Sequence, residues 1–250
     1  MKSLRLAGLS LFLFSWFVPA AAGVATVAVA SNFAPTLKAL AMLAEKDGAH
    51  QYRIVNGATG ALYAQIRNGA PFDLLLAADS ATPERLEKDG LGVSGSRFSY
   101  ATGQLVLWST KQQLVDEHGK VLKSARYQTL ALANPKTAPY GTAALAVLQK
   151  LGVQASSTQR WVQGESVGQT LSMVATGHAD LGFVALSQLV QAGQLERGSL
   201  WRVPASLHPP IRQDAILLRR GQDNAAAQAL MRTLQSPAGK ALIQSHGYQP

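Results

Sequence analysis

Short apolar runs alternate with stretches of helical periodicity along nearly the whole chain, and this alternation restricts the fold more than any other feature. VATVAVA (24–30) reads as a buried strand, and QYRIVN (51–56) and FDLLLAAD (72–79) as further strands. Phe33 to Lys46 carries Leu37, Leu40, Ala41 and Ala44 at helical spacing, and Ala61 to Asn68 reads as a short second helix. Thr82-Pro83-Glu84 opens a third, with a capping hydroxyl, a proline at the first position and then an acid; it ends near Asp89-Gly90. A β-α-β-α-β-α run is the pattern of an open parallel sheet with helices on both faces.

YATGQLVLWS (100–109) breaks the rhythm, being long, strand-like and not closely followed by a helix. A second set follows: strand 128–134, helix Gly141 to Leu151, strand 160–164, helix Val167 to Thr176, strand 180–186 and helix Ser187 to Ala192. IRQDAILL (211–218) is another long strand, and helices over 223–235 and 237–246 close the chain. The expectation is an α/β protein of two lobes. Each is an open, mostly parallel sheet flanked by helices, and two crossover strands form the hinge. Lobe 1 takes residues 24–102 with 206–250, and lobe 2 takes 103–205; which lobe carries the two C-terminal helices is left open. No Ser/Gly/Pro-rich linker separates the halves, so tied lobes that bend fit better than beads on a string.

Residues 1–23 read as an address. Lys2 and Arg5 form a basic start, Leu6 to Val18 an apolar run too short to span a bilayer comfortably, and Ala20-Ala21-Ala22 a small-residue cleavage site. A signal peptide cut near Ala22-Gly23 sends the rest to the periplasm. The chain has no cysteine, which excludes disulfide frameworks, thiolate metal sites and cysteine nucleophiles, and also a lipoprotein anchor. Its five histidines show no close metal-ligand spacing. The formal charge of +9 raises the question of nucleic acid, but the basic residues are scattered and only Arg219-Arg220 are adjacent. No nucleic-acid partner is expected.

Four strand-to-helix junctions share a chemistry: ASNFAP (30–35), NGATGA (56–61), NPKTAPYG (134–141) and GESVGQ (164–169). Ligands of open α/β sheets bind beyond the carboxyl ends of strands, where helix N-termini offer unpaired N–H groups and a favourable dipole for anions. The donors there are neutral: Ser31, Asn32, Thr59, Tyr140, and backbone N–H groups around Thr59 (Ala58 and Gly60 included) and Val167. No Arg lies in these loops, and one Lys and one Glu are their only charges. A carboxylate ligand would usually invite a bidentate Arg, and a metal would need several carboxylates or His. Hydroxyls and amides at helix starts suit a small, desolvated oxyanion. Glu165, the one loop carboxylate, is expected to point away from it.

GESVG (164–168) also matches G-x-S-x-G, so a serine hydrolase is the competing reading, with Ser166 as nucleophile, Asp180 or Asp214 as the acid and His208 or His246 as the base. Against it, no oxyanion loop of the HGG type precedes the motif, and Asp180 falls at the wrong end of its strand.

AVASNF, NGATGALYAQIRNGAPFDLLLAADSATPERLEKDG, GSRFSYATGQLVLWS, ANPKTAPYG, ESVGQ and GHADLGFVALSQ together are specific enough to place a family. Over almost the whole chain after residue 23, the sequence resembles the periplasmic molybdate-binding proteins of ABC importers, of type II binding-protein fold. The resemblance implies no enzyme activity and no cofactor. It implies a molybdate or tungstate dianion held in the cleft between lobes by neutral donors, without direct metal ligands, and delivery by a monomer to a permease in the inner membrane. Carried over by position, Ser31 and Asn32 give a hydroxyl and a backbone N–H, Thr59 a hydroxyl with neighbouring N–H groups, Tyr140 its hydroxyl and Val167 its N–H. This chain departs from the pattern in two places. Ala58-Thr59 stands where serine is frequent, and Ala185 stands where many members place a ligand tyrosine; Tyr140 looks like its substitute. A sulfate- or thiosulfate-type binder is the alternative within the class.

Overall fold

The computed structural model describes residues 23–45, 50–154 and 160–250. Apart from Gly23, the export segment lies outside the described residues, as does Lys46. In chain order the strands are β1 (Gly23–Ala30), β2 (His50–Gly57), β3 (Leu74–Leu76), β4 (Phe98–Gly103), β5 (Leu105–Ser109), β6 (Thr129–Ala133), β7 (Arg160–Gly164), β8 (Leu181–Ala185), β9 (Ser199–Arg202) and β10 (Ile211–Leu217). The helices are α1 (Ala34–Ala44), α2 (Thr59–Arg67), α3 (Ala81–Lys88), α4 (Pro139–Lys150), α5 (Val167–Ala175), α6 (Leu186–Gln191), α7 (Ala225–Gln235) and α8 (Pro237–Ser245).

Two five-stranded sheets result, in the orders β2-β1-β3-β10-β4 and β7-β6-β8-β5-β9. Each keeps a parallel trio at one side, β2-β1-β3 and β7-β6-β8. The strands that carry the chain between sheets then enter antiparallel, β10 beside β3 and β5 beside β8, so both sheets are mixed. The long extended segment at 100–109 divides at Gln104: β4 belongs to the first sheet and β5 to the second. The return passes from β9 to β10, which pairs with β4 from Ile211 opposite Gly103 onward. Strand β9, a short edge strand of four residues between Gly198 and Pro204, is not among the expected elements.

Packing follows the apolar pattern. Leu37 and Leu40 of α1 are fully buried with Val27 and Val29 of β1, Leu74 and Leu76 of β3, and Leu230 and Leu234 of α7. The other face of this sheet buries Ala28, Leu75 and Ile216 under Leu62 of α2 and Leu86 of α3. Removing one such leucine side chain costs about 2–5 kcal/mol, transfer and cavity terms together. Helix α7 packs on β1 and α1. Its start is pinned by Asn224, whose Oδ1 accepts from the N–H groups of Ala226 and Ala227 and whose Nδ2 donates to the Val24 carbonyl.

The start of α3 differs from expectation. The hydroxyl of Thr82 is not the cap. The Asp79 carboxylate accepts from Thr82 N (2.7 Å) and from its hydroxyl, so the helix begins at Ala81 and Pro83 sits at its third position. A proline is harmless there because the first four N–H groups have no intrahelical acceptor. Helices α2 and α4 likewise begin two residues ahead of the predicted bounds. These shifts put Thr59 at the first position of α2 and Tyr140 in the first turn of α4, behind Pro139.

Candidate functional site

The starts of α1, α2, α4 and α5 converge between the two sheets. Around a cavity of about 10 Å³, room for roughly one water-sized sphere, stand Ser31, Asn32, Ala58, Thr59, Tyr140 and Val167, with alanine, glycine and proline filling the rest. The structure thus brings together the donor-bearing residues of all four loops. Among the described residues, no charged side chain lines this cavity. The apolar core runs through it: Ala30, Ala58 and Ala78 from one half pack in one cluster with Ala138, Tyr140 and Val167 from the other. The site is enclosed by buried apolar residues, so each dipole aimed into it acts in a medium of low dielectric.

In the first loop, Ser31 N–H donates to the Gly57 carbonyl at 2.9 Å and is spent on the fold. Its hydroxyl oxygen accepts from Gly168 N–H across the cleft at 3.1 Å, and the hydroxyl proton remains to be given. The Asn32 side chain also turns to the fold, donating from Nδ2 to Gln213 Oε1 at 3.0 Å and to the Tyr248 hydroxyl at 3.1 Å. Its backbone N–H has no acceptor among the described residues.

In the second loop, Thr59 is buried, and its hydroxyl oxygen accepts from Ala78 N–H at 3.0 Å. Thr59 N–H, in the first turn of α2, also lacks an acceptor among the described residues. Gly60 is a correction. Its N–H donates to the Thr137 carbonyl of the other half at 2.9 Å, so it is not available to a ligand. Ala58 lines the cavity as the residue ahead of α2 and has no side-chain donor.

From the other half come Tyr140 and Val167. Tyr140 is fully buried, and its hydroxyl oxygen accepts from Gln213 Nε2 at 3.3 Å. Burial, and next the nearby Tyr248, push the Tyr140 hydroxyl well above its ordinary range, so it keeps its proton and serves as a neutral donor. Val167 opens α5 with its N–H unmatched among the described residues. Ser166 caps that helix by accepting from Gln169 N–H. Glu165 is exposed and does not line the cavity, as expected. Ala185 does not line it either.

The hydrolase constellation is not assembled. Asp180 accepts from Lys111 and from the N–H groups of Gln128 and Thr129. Asp214 is held by Arg97, Ser80 and Ser99. His208 contacts its neighbouring Pro209 carbonyl, and His246 contacts Thr36. None of them meets Ser166. No cluster of His, Asp and Glu suited to a metal ion occurs among the described residues.

Sequence reasoning missed Gly168, Thr137 and Gln213, which tie the two halves together at the site. None of the three stands out in the sequence: Gln213 sits between Arg212 and Asp214 in β10, and its burial is visible only in the structure. A larger cleft of about 470 Å³ adjoins the cavity, shares Ala78, Ala138 and Pro139 with it, and carries Asp79, Lys136 and Arg212 on its walls.

The profile described as bacterial extracellular solute-binding protein matches residues 25–249. The chain is 52% identical to the molybdate-binding protein ModA of Azotobacter vinelandii, over 89% of this chain and 88% of that one. It is 44% identical to the molybdate-binding protein ModA of Rhodobacter capsulatus, over 92% and 90%. The solved periplasmic molybdate-binding protein of Azotobacter vinelandii superposes with a TM-score of 0.86 at 42% identity, covering 90% of this chain and 99% of that one.

Proposed function

The chain belongs to the bacterial extracellular solute-binding proteins, within them to the molybdate-binding proteins of ABC transporters, and from that premise we propose how it works. It is a binding protein and not an enzyme. It captures molybdate, and tungstate as well, between lobes 24–102 with 206–250 and 103–205. It is exported by the segment ending near Ala22-Gly23, acts as a monomer, and hands its ion to an inner-membrane permease.

One observation carries the reading: four helix starts meet at a buried cavity lined by neutral donors and, among the described residues, no charge. The donors are the Ser31 and Thr59 hydroxyls, the Tyr140 hydroxyl, and the N–H groups of Asn32, Thr59 and Val167. A dianion spreads its charge over four oxygens, and helix dipoles with N–H groups spread the counter-charge around it. Each charge-assisted bond contributes roughly 1.5–3 kcal/mol, so several support micromolar or tighter binding after association entropy is subtracted.

The same donors discriminate. A site fitted to molybdate leaves some donors unmatched around the smaller sulfate, at roughly 1–3 kcal/mol each. A protonated oxyanion such as hydrogen phosphate is best held by a charged acceptor, and no carboxylate lines this cavity among the described residues. The lobes bend near Tyr100–Gln104 and Ala205–Arg212, so that donors of both halves reach one ion.

Native mass spectrometry of residues 24–250 titrated with molybdate, tungstate, sulfate and phosphate tests the reading. One molybdate or tungstate per chain, with sulfate and phosphate far weaker, is expected. Preference for sulfate would replace this function with the sulfate-type alternative.

A further inference from the structure

Gln213 lies in β10, the strand returning from the second sheet to the first, and is completely buried. Its amide touches candidate site residues of both halves. Oε1 accepts from Asn32 Nδ2 at 3.0 Å and lies 3.1 Å from the Tyr100 hydroxyl, whose single proton also has the Ala77 carbonyl within reach at 2.9 Å. Nε2 donates to the Tyr140 hydroxyl oxygen at 3.3 Å. Beyond Asn32, the Tyr248 hydroxyl accepts from Nδ2 and donates to the Asn32 carbonyl at 2.9 Å. Gly103, at the end of β4, makes room for the contact. A Cβ there would collide with the Tyr140 hydroxyl and stand 2.6 Å from Gln213 Nε2.

The direction of these bonds matters because a phenol has one proton. Where Gln213 donates, Tyr140 keeps its proton for another acceptor. Turning both amides over would reverse the chain and draw the Tyr140 proton onto Gln213. It would also place an NH₂ where the buried, unpartnered Asn32 Oδ1 now stands. A carbonyl oxygen without a partner is tolerated more readily than an amide with buried, unmet hydrogens. The network therefore has a preferred polarity, and it leaves Tyr140 a donor.

We propose that Gln213 is a positioning residue that holds the Tyr140 hydroxyl as a donor toward the bound anion. It thereby ties the returning strand to the ligand without touching the ligand. The proposal rests on the reading above, in which Tyr140 contacts the anion. It also gives that reading a reason to exclude protonated oxyanions: a hydroxyl already accepting from Gln213 offers the ion only a proton.

A double-mutant cycle tests it, with molybdate affinity measured by calorimetry for the unmodified protein, Tyr140→Phe, Gln213→Met and the pair. Each single change should weaken binding about tenfold, one charge-assisted bond's worth. Gln213→Met added to Tyr140→Phe should cost less than about twofold further, because no hydroxyl is left to orient. Equal losses in both backgrounds would overturn the proposal and leave Gln213 a structural residue only. If Gln213→Met does not fold, Gln213→Glu carries the same cycle. Repulsion from its added charge is common to both backgrounds and cancels. A loss about fivefold larger with Tyr140 intact than in the Tyr140→Phe protein would support the proposal, and equal losses would overturn it. Failure of the unmodified protein to bind molybdate would overturn the reading of the site itself, and it shows before any variant is compared.

Discussion

Gly60 and Thr137 meet across the cleft, N–H to carbonyl at 2.9 Å, at a spacing that a side chain could enter only by pushing Thr137 back. A Cβ on Gly60 would stand 3.0 Å from the Thr137 Cα and 3.2 Å from its carbonyl oxygen, both backbone atoms that cannot swing aside. Gly60→Ala should therefore oppose the approach of the two halves. In the open protein the same change adds a better helix former in the first turn of α2. The two effects have opposite signs. Molybdate affinity should fall by about tenfold or more while the melting temperature without ligand holds or rises. Calorimetry and thermal melts on one preparation check both, and unchanged affinity would show that the contact is not needed for capture.

Ser31→Ala and Thr59→Ala should each weaken molybdate binding by roughly 1–3 kcal/mol. Each removes a hydroxyl donor and also strands a backbone N–H, that of Gly168 or that of Ala78. Ser166→Ala removes a helix cap, costing about 0.5–2 kcal/mol of stability but little affinity. Titrations of the three variants side by side decide the matter. A Ser166 variant that binds worst would reassign the fourth loop.

Molybdate at 100 times its dissociation constant should stabilise the protein by about 2.7 kcal/mol, seen as a raised melting temperature. Sulfate at the same concentration and ionic strength should shift it far less. Equal shifts would contradict selection by size.

Affinity for molybdate should stay flat from about pH 6.5 to about pH 9, a range in which none of the neutral donors titrates. Tyr140 is the only ionisable group lining the cavity among the described residues, and burial raises it well above its ordinary value. Its proton is therefore present throughout this window and would be lost only above it. A calorimetric pH series that shows a step inside the window would place a titrating group at the ion.

Molybdate should lower the radius of gyration in small-angle scattering, because the donors belong to both halves. Tight binding with no change in radius would mean a rigid, preformed site.

Much of this protein is legible from local pattern. Strand β1 and helix α1 declare themselves by apolar spacing, and the four loops by hydroxyls, amides and prolines ahead of helices, because periodicity and end chemistry are properties of a few adjacent residues. The change of sheet between β4 and β5 also has a local sign, since YATGQLVLWS is too long and extended to belong to the β-α rhythm. Element starts are less secure. Thr82 looks like a cap, but the Asp79 carboxylate three residues earlier, a charged acceptor, takes the N–H.

What the chain alone determined was therefore which groups stand at the site: Ser31, Asn32, Thr59, Tyr140 and Val167, neutral and at helix starts. What only the tertiary structure decided was which of their hydrogens remain to be given. Ser31 N–H goes to Gly57, Gly60 N–H to Thr137 and the Asn32 amide to Gln213, partners up to 181 positions away in sequence. Such pairings depend on which segments the two sheets bring within about 3 Å, a distance set by packing between elements and not by any local run of residues.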